Sequence, residues 1–139
     1  MNISKRSEYG LRSLLDLAAN QGGDPVPLFE LAERNNLPQK FLEQILPSLR
    51  NAGIVSSHLG PGGGYSLGRD AEAITFGEII RILDGTLAPV SCVSQIAYEP
   101  CTCPDERNCK LRQVMQDVRT AIVDVVDRTT LADAVDMET

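Results

Sequence analysis

Gly60-Pro61-Gly62-Gly63-Gly64-Tyr65 is the stretch on which the fold turns. It separates the run Ile54 to His58 from a return run Tyr65 to Leu67, so the spacing predicts a β-hairpin with a glycine tip. A plain tight turn needs fewer glycines than this. Three in succession, with Gly60 and Pro61 before them, let the backbone approach a phosphate with no Cβ in the way. A phosphate-binding P-loop is excluded, because no Gly-Lys-Ser/Thr follows and both flanks are strands.

Upstream of the hairpin the apolar spacing is helical. Leu11, Leu14, Leu15 and Ala18 fall at i, i+3, i+4 and i+7 and predict a helix from Ser4 to about Asn20, stopped by Gln21-Gly22-Gly23-Asp24-Pro25. A short second helix follows Pro27 and buries Leu28, Leu31 and Ala32. After Leu37-Pro38 a third helix runs from about Gln39 to Ala52, with Leu42, Ile45, Leu46 and Leu49 inward and Gly53 as its stop. Pro47 conflicts with that helix, so a kink or an early end is expected there.

Three short helices and then a hairpin is the order of a winged helix-turn-helix, whose third helix enters the DNA major groove while the wing reaches backbone or minor groove. On that reading Gln44 suits adenine, Lys40 guanine or phosphate, Arg50 phosphate, and Glu43 cytosine or the rejection of a wrong approach. Phe41 on the same helix, His58 on the wing strand, and Gly60, Pro61, Gly62, Gly63 and Gly64 at the tip complete the expected DNA-contacting set. An ordinary solvated helix face is the alternative reading.

Downstream, Ile74 to Asp84 is a short helix carrying Ile79, Ile80 and Leu83, with Gly85 as its stop. Residues 86 to 109 are an irregular loop. The last helix, about Lys110 to Arg128, lines up Leu111, Val114, Met115, Val118, Ile122, Val125 and Val126. That face is too wide for one small domain to bury alone, which predicts a dimer helix. The chain is therefore expected to be mainly α with a small β-hairpin wing. Residues 1–70 form the winged helix-turn-helix, 71–109 a linking helix and cysteine-rich sensor loop, and 110–139 a dimerisation helix and C-terminal tail.

At 139 residues with 42% apolar content the chain is long enough for a core. No leader-like apolar run follows the first residues, and no stretch approaches the roughly 20 apolar residues of a membrane span, so a cytoplasmic protein without membrane partners is expected. The net charge of −6 argues at first against DNA. It is unevenly spread: residues 1–70 carry seven basic and seven acidic side chains, and the whole deficit lies beyond them. No nucleophile–base pair, cofactor fingerprint or paired carboxylates point to an enzyme.

Four cysteines, Cys92, Cys101, Cys103 and Cys109, crowd the loop before the last helix. Cys101 and Cys103 are too tightly spaced for an easy bridge, so a disulfide frame is a poor explanation. Soft thiolates on a flexible loop suit an iron-sulfur cluster or zinc, although the spacing is not that of a two-CxxC zinc ribbon. Free thiols or a reversible disulfide are the alternatives.

The wing hexapeptide Gly60 to Tyr65, the helix from Tyr9 to Ala18, Phe41-Leu42-Glu43-Gln44, Arg50 and Thr129-Thr130-Leu131 together resemble the Rrf-two family of bacterial transcription regulators over nearly the whole chain. The resemblance implies a homodimeric winged-helix repressor or activator binding double-stranded operator DNA, with each long C-terminal helix crossing its partner. It also implies an iron-sulfur cluster, 2Fe-2S or 4Fe-4S, on three loop cysteines: Cys92, Cys103 and Cys109 by position, with Cys101 as the alternate middle ligand. Where some members place a histidine three residues after the last cysteine, this chain has Arg112. Other members use an acidic residue of the partner subunit, which makes Glu8 the candidate fourth ligand. Many relatives carry an arginine before the wing Gly-Pro, and here that residue is Leu59. The expected function is sensing of redox, nitric oxide, iron or cluster supply; the rival is a cluster-free regulator controlled by thiol oxidation or a protein partner.

Overall fold

The computed structural model describes residues 3–95 and 97–137. Met1, Asn2, Ile96 of the cysteine loop, and Glu138 and Thr139 of the expected tail lie outside the described residues. The chain is mainly helical with one two-stranded antiparallel hairpin, and its order is α1 (Lys5–Ala19), α2 (Leu28–Arg34), α3 (Gln39–Asn51), β1 (Val55–His58), β2 (Gly64–Leu67), α4 (Phe76–Asp84), α5 (Lys110–Arg128) and α6 (Leu131–Val135). Among the described residues no helix is long and apolar enough to cross a membrane.

Local chemistry explains most of these bounds. Ser4 caps α1 by accepting from the Ser7 amide, and Thr75 does the same for α4 through Glu78. The last turn of α3 closes with Gly53 N–H on the Arg50 carbonyl and Ile54 N–H on the Leu49 carbonyl, both at 2.9 Å. That closure puts Gly53 at φ 79, the left-handed region where a Cβ is disfavoured.

Pro47 does not end α3; the helix runs through it to Asn51. The reason is burial. Leu42, Ile45, Leu46 and Leu49 are all fully buried, each contributing about 1.5–3 kcal/mol, which together outweighs a proline cost of about 3 kcal/mol. The carbonyl that Pro47 leaves without a helical donor belongs to Glu43, on the exposed face where water can serve it.

The hairpin pairs Val55 with Leu67, Ser56 with Ser66, Ser57 with Tyr65 and His58 with Gly64. Val26 braces it as a third rung, exchanging two backbone hydrogen bonds of 2.8 Å with Tyr65. Gly64 makes that approach feasible, since a Cβ there would lie 2.3 Å from the Val26 carbonyl.

One core runs from Leu11 in α1 through Ile45 in α3 and Ile79 in α4 to Leu131 in α6. The segment after Arg128, expected as a tail, instead turns back onto α1. Phe76 N–H donates to the Thr129 carbonyl at 3.0 Å and Leu131 N–H to the Ile74 carbonyl at 2.9 Å. Thr130 and Asp133 then cap α6 reciprocally.

Candidate functional site

Helix α3 turns its four apolar residues into the core and leaves Lys40, Glu43, Gln44 and Arg50 exposed. Its N-cap, Pro38, offers no side chain to the first-turn amides; its carbonyl accepts from the Phe41 and Leu42 N–H groups at 3.1 and 3.3 Å. Phe41 is half-buried, packed edge-on against Tyr9 with ring centroids 5.0 Å apart. His58 and Gly60, Pro61 and Gly62 are exposed, while Gly63 and Gly64 are partly covered. His58 Nε2 lies 2.9 Å from Ser66 Oγ across the hairpin.

The fold brings further cations to this face that the sequence pattern does not single out. Arg6 of α1 donates to Ser48 Oγ of α3 at 2.9 Å. Lys5 and Arg12 flank the Tyr9 ring, each 5.8 Å from its centroid. Three bases of α1 thus lie next to α3, although they sit more than twenty-five residues before it in the chain.

The cysteines gather at the head of α5, but not all four in one place. Cys109 is the N-cap of α5, its Sγ accepting from the Arg112 amide at 3.4 Å. Cys101 is exposed and its Sγ accepts from the Cys103 amide, also at 3.4 Å. That amide holds the Cys101 thiol below the usual thiol range. The hydrogen bond shared with Cys101, with the Cys101 and Cys109 sulfurs nearby, pushes Cys103 up to about 11. Cys92 is buried on a short turn, Ser91–Val93, whose backbone is held by α5. Arg112 donates to the Cys92 carbonyl at 3.3 Å and pairs with Glu106 at 3.5 Å, and Arg119 donates to the Val93 carbonyl at 3.1 Å. Tyr98 O–H donates to Glu106 at 2.6 Å, which holds the phenol above its usual range.

Among the described residues no three His, Cys, Asp or Glu side chains already converge on one metal position. The donors are nevertheless of the right kind, since four soft thiols lie on one loop and Cys103 lies near the sulfurs of Cys101 and Cys109. Glu8, on the first turn of α1, pairs with Lys5 at 3.0 Å and is half-exposed. Arg112 holds the loop backbone rather than facing the thiols as a ligand.

Helix α5 has no buried residue. Leu111, Val114 and Val125 are 64%, 55% and 52% exposed. Besides the Arg112 and Arg119 bonds to the Ser91–Val93 turn, the helix is tied to α4, where Arg81 grips Asp127 through two hydrogen bonds of 2.6 and 3.0 Å. Between the two helices an apolar cleft of about 320 Å³ opens, lined by Ile3, Ile80, Leu87 and Ile122.

The chain is similar to known transcriptional regulators. Residues 3–137 match the family described as Rrf2, iron-dependent transcriptional regulator. The HTH-type transcriptional regulator CymR of Bacillus subtilis is 41% identical over 133 residues, covering 96% of this chain and 88% of that protein. The HTH-type transcriptional regulator IscR of Escherichia coli O1:K1 is 32% identical over 135 residues, covering 97% of this chain and 80% of that protein. The solved structure of CymR, described as the global cysteine regulator of B. subtilis, superposes with a TM-score of 0.84 at 37% identity, covering 100% of this chain and 99% of that one.

Proposed function

The chain belongs to the Rrf2 family of transcriptional regulators, and we propose that it acts in the cytoplasm as a homodimer on palindromic operator DNA, gated by its cysteine loop. The observation that carries this reading is the contrast between a fully packed α3 with a bare polar face and an α5 with a bare apolar one. The first suits a major groove, the second another copy of the same helix. In the groove Gln44 reads base edges, Lys40 and Arg50 hold phosphate, Glu43 rejects a wrong base, and Phe41 sets the pitch of α3 against Tyr9. His58 and the tip from Gly60 to Gly64 approach the neighbouring backbone.

The sensing function belongs to an iron-sulfur cluster on Cys92, Cys103 and Cys109, with Glu8 of the partner subunit as a candidate fourth ligand and Cys101 as an alternate. When bound, such a cluster supplies redox and ligand-exchange chemistry at the loop. The chain's own residues do the rest. Cys109 caps α5, so any change in its sulfur alters the end of the dimer helix. Cys92 is tied to the same helix through Arg112, and Glu8 must leave Lys5 to serve. A hard oxygen ligand is more readily displaced than a fourth thiolate, which suits a sensor.

A second reading, thiol oxidation without a cluster, is favoured by the hydrogen-bonded Cys101 and Cys103 thiols and by the lack of a preformed three-ligand convergence among the described residues. Anaerobic purification with a visible spectrum and iron and sulfide counts separates the two. Colour that survives Cys101→Ala and is lost in single alanine variants of the other three cysteines supports the cluster. Colourless protein after anaerobic reconstitution rules it out, and colour lost in Cys101→Ala but kept in Cys103→Ala exchanges the middle ligand.

A further inference from the structure

The wing carries no formal charge. Between Arg50 and Arg69 the chain has no Lys, Arg, Asp or Glu, so no charged side chain of the hairpin can pair with a phosphate. His58 is engaged with Ser66 across the strands. What the hairpin presents is Leu59, 97% exposed and the barest of the large apolar side chains described.

Single exposed leucines are common and by themselves carry no message. Leu59 differs in its mounting. It follows His58 at the end of β1, where the register pairs His58 with Gly64. The tip is closed by the Gly63 amide on the Gly60 carbonyl at 2.9 Å, and the return strand is braced by Val26. Beyond Leu59 the tip, Gly60-Pro61-Gly62-Gly63, carries only the proline ring. The result is a slim, braced, uncharged tip with one projecting apolar side chain. It springs directly from the C-terminal end of α3, with only Ala52, Gly53 and Ile54 between helix and strand.

We propose that Leu59 is a specificity-determining residue that enters the operator minor groove beside the α3 contact and favours A·T over G·C pairs there, an inference that rests on the DNA-binding reading above. The minor groove is about 6 Å wide, which admits a narrow tip and excludes a broad one. Its floor differs between base pairs chiefly by the guanine 2-amino group. That group obstructs a seated leucine and, once covered by it, is left a donor without an acceptor. Apolar side chains used as minor-groove wedges follow the same logic. Because Leu59 brings no charge, its contribution is independent of salt, unlike that of an arginine in the same place.

The test uses the full-length protein, with selection from a library of random duplexes by the wild type, Leu59→Ala and Leu59→Arg. Affinity is then titrated against salt on the selected duplex and on a copy with inosine for guanine under the wing. Leu59 is solvent-exposed, so neither change disturbs packing. Leu59→Ala is expected to weaken binding about tenfold with an unchanged salt slope, to lose the A·T preference under the wing, and to respond less than the wild type to inosine. Leu59→Arg is expected to strengthen binding to all duplexes and steepen the slope by about one unit. Affinity and preference unchanged in Leu59→Ala overturn the proposal, and so does weakened binding with the A·T preference intact. A wild-type protein that selects no duplex overturns the DNA reading itself, an outcome distinct from either.

Discussion

Helices α3 and α5 are both amphipathic, and they use their apolar faces in opposite ways. The 13 residues of α3 include four that are wholly buried, whereas the 19 of α5 include none. In α3 the chain itself supplies the covering surface, from α1, α2 and α4, which frees the polar face for a ligand. In α5 the chief neighbours are α4 and the Ser91–Val93 turn, and although Val126 reaches the core, Leu111, Val114 and Val125 stay more than half exposed. Amphipathicity thus indicates that a helix has two faces, and packing decides which one is left for function.

The comparison predicts its own exceptions. Leu46→Ala should cost about 2–5 kcal/mol in urea unfolding. Leu111→Ala should leave the unfolding of the isolated chain within about 0.5 kcal/mol, with any larger effect varying with protein concentration. Equal, concentration-independent costs at both positions would erase the distinction. The paired change Val118→Asp and Ile122→Asp should give monomers in sedimentation with the winged domain still folded. A dimer that persists places the interface on another face.

Smaller effects sharpen the picture at the reading head. Gly64→Ala drives a Cβ into the Val26 backbone from a φ of 147, at a strain of roughly 1–3 kcal/mol. It should lower duplex affinity while sedimentation still reports the wild-type assembly. Gln44→Ala should lose about 1–3 kcal/mol of discrimination between bases. Arg50→Ala should weaken all sequences about equally and flatten the salt slope by about one unit. If Arg50→Ala relaxes preference and Gln44→Ala does not, the two roles are exchanged.

The smallest effect is kinetic and belongs to the other end of the molecule. In reduced, metal-free protein, iodoacetamide followed by mass spectrometry should find Cys101 labelled first and buried Cys92 last. The reactive species is the thiolate. Cys101 is held below the usual thiol range, so its rate should level off at lower pH; Cys103, raised to about 11 by its bond to Cys101, should keep accelerating as pH climbs toward that value. Labelling of Cys92 ahead of Cys101 would mean that the turn held by Arg112 opens freely.

Several features were legible in the residues alone because their causes are local. The bounds of α5 follow from apolar spacing, the hairpin from its glycines, and the end of α3 from the left-handed turn that Gly53 permits. Pro47 does not end the helix early, because the burial that outweighs its cost comes from other helices. Helix α6 is hidden for a similar reason: five residues with one buried leucine make no periodicity, although Thr130 and Asp133 stand at capping-box spacing. The likeness to the Rrf2 family was likewise carried by short local motifs, the wing hexapeptide above all. Tertiary structure alone decided that Lys5, Arg6 and Arg12 stand beside α3, that Arg112 grips the Cys92 backbone, and that Cys92 is buried while Cys103 lies near the sulfurs of Cys101 and Cys109. Hydrogen bonding and side-chain periodicity act over a few residues of chain, whereas a site is assembled by helix crossings, and those are set by the whole core at once.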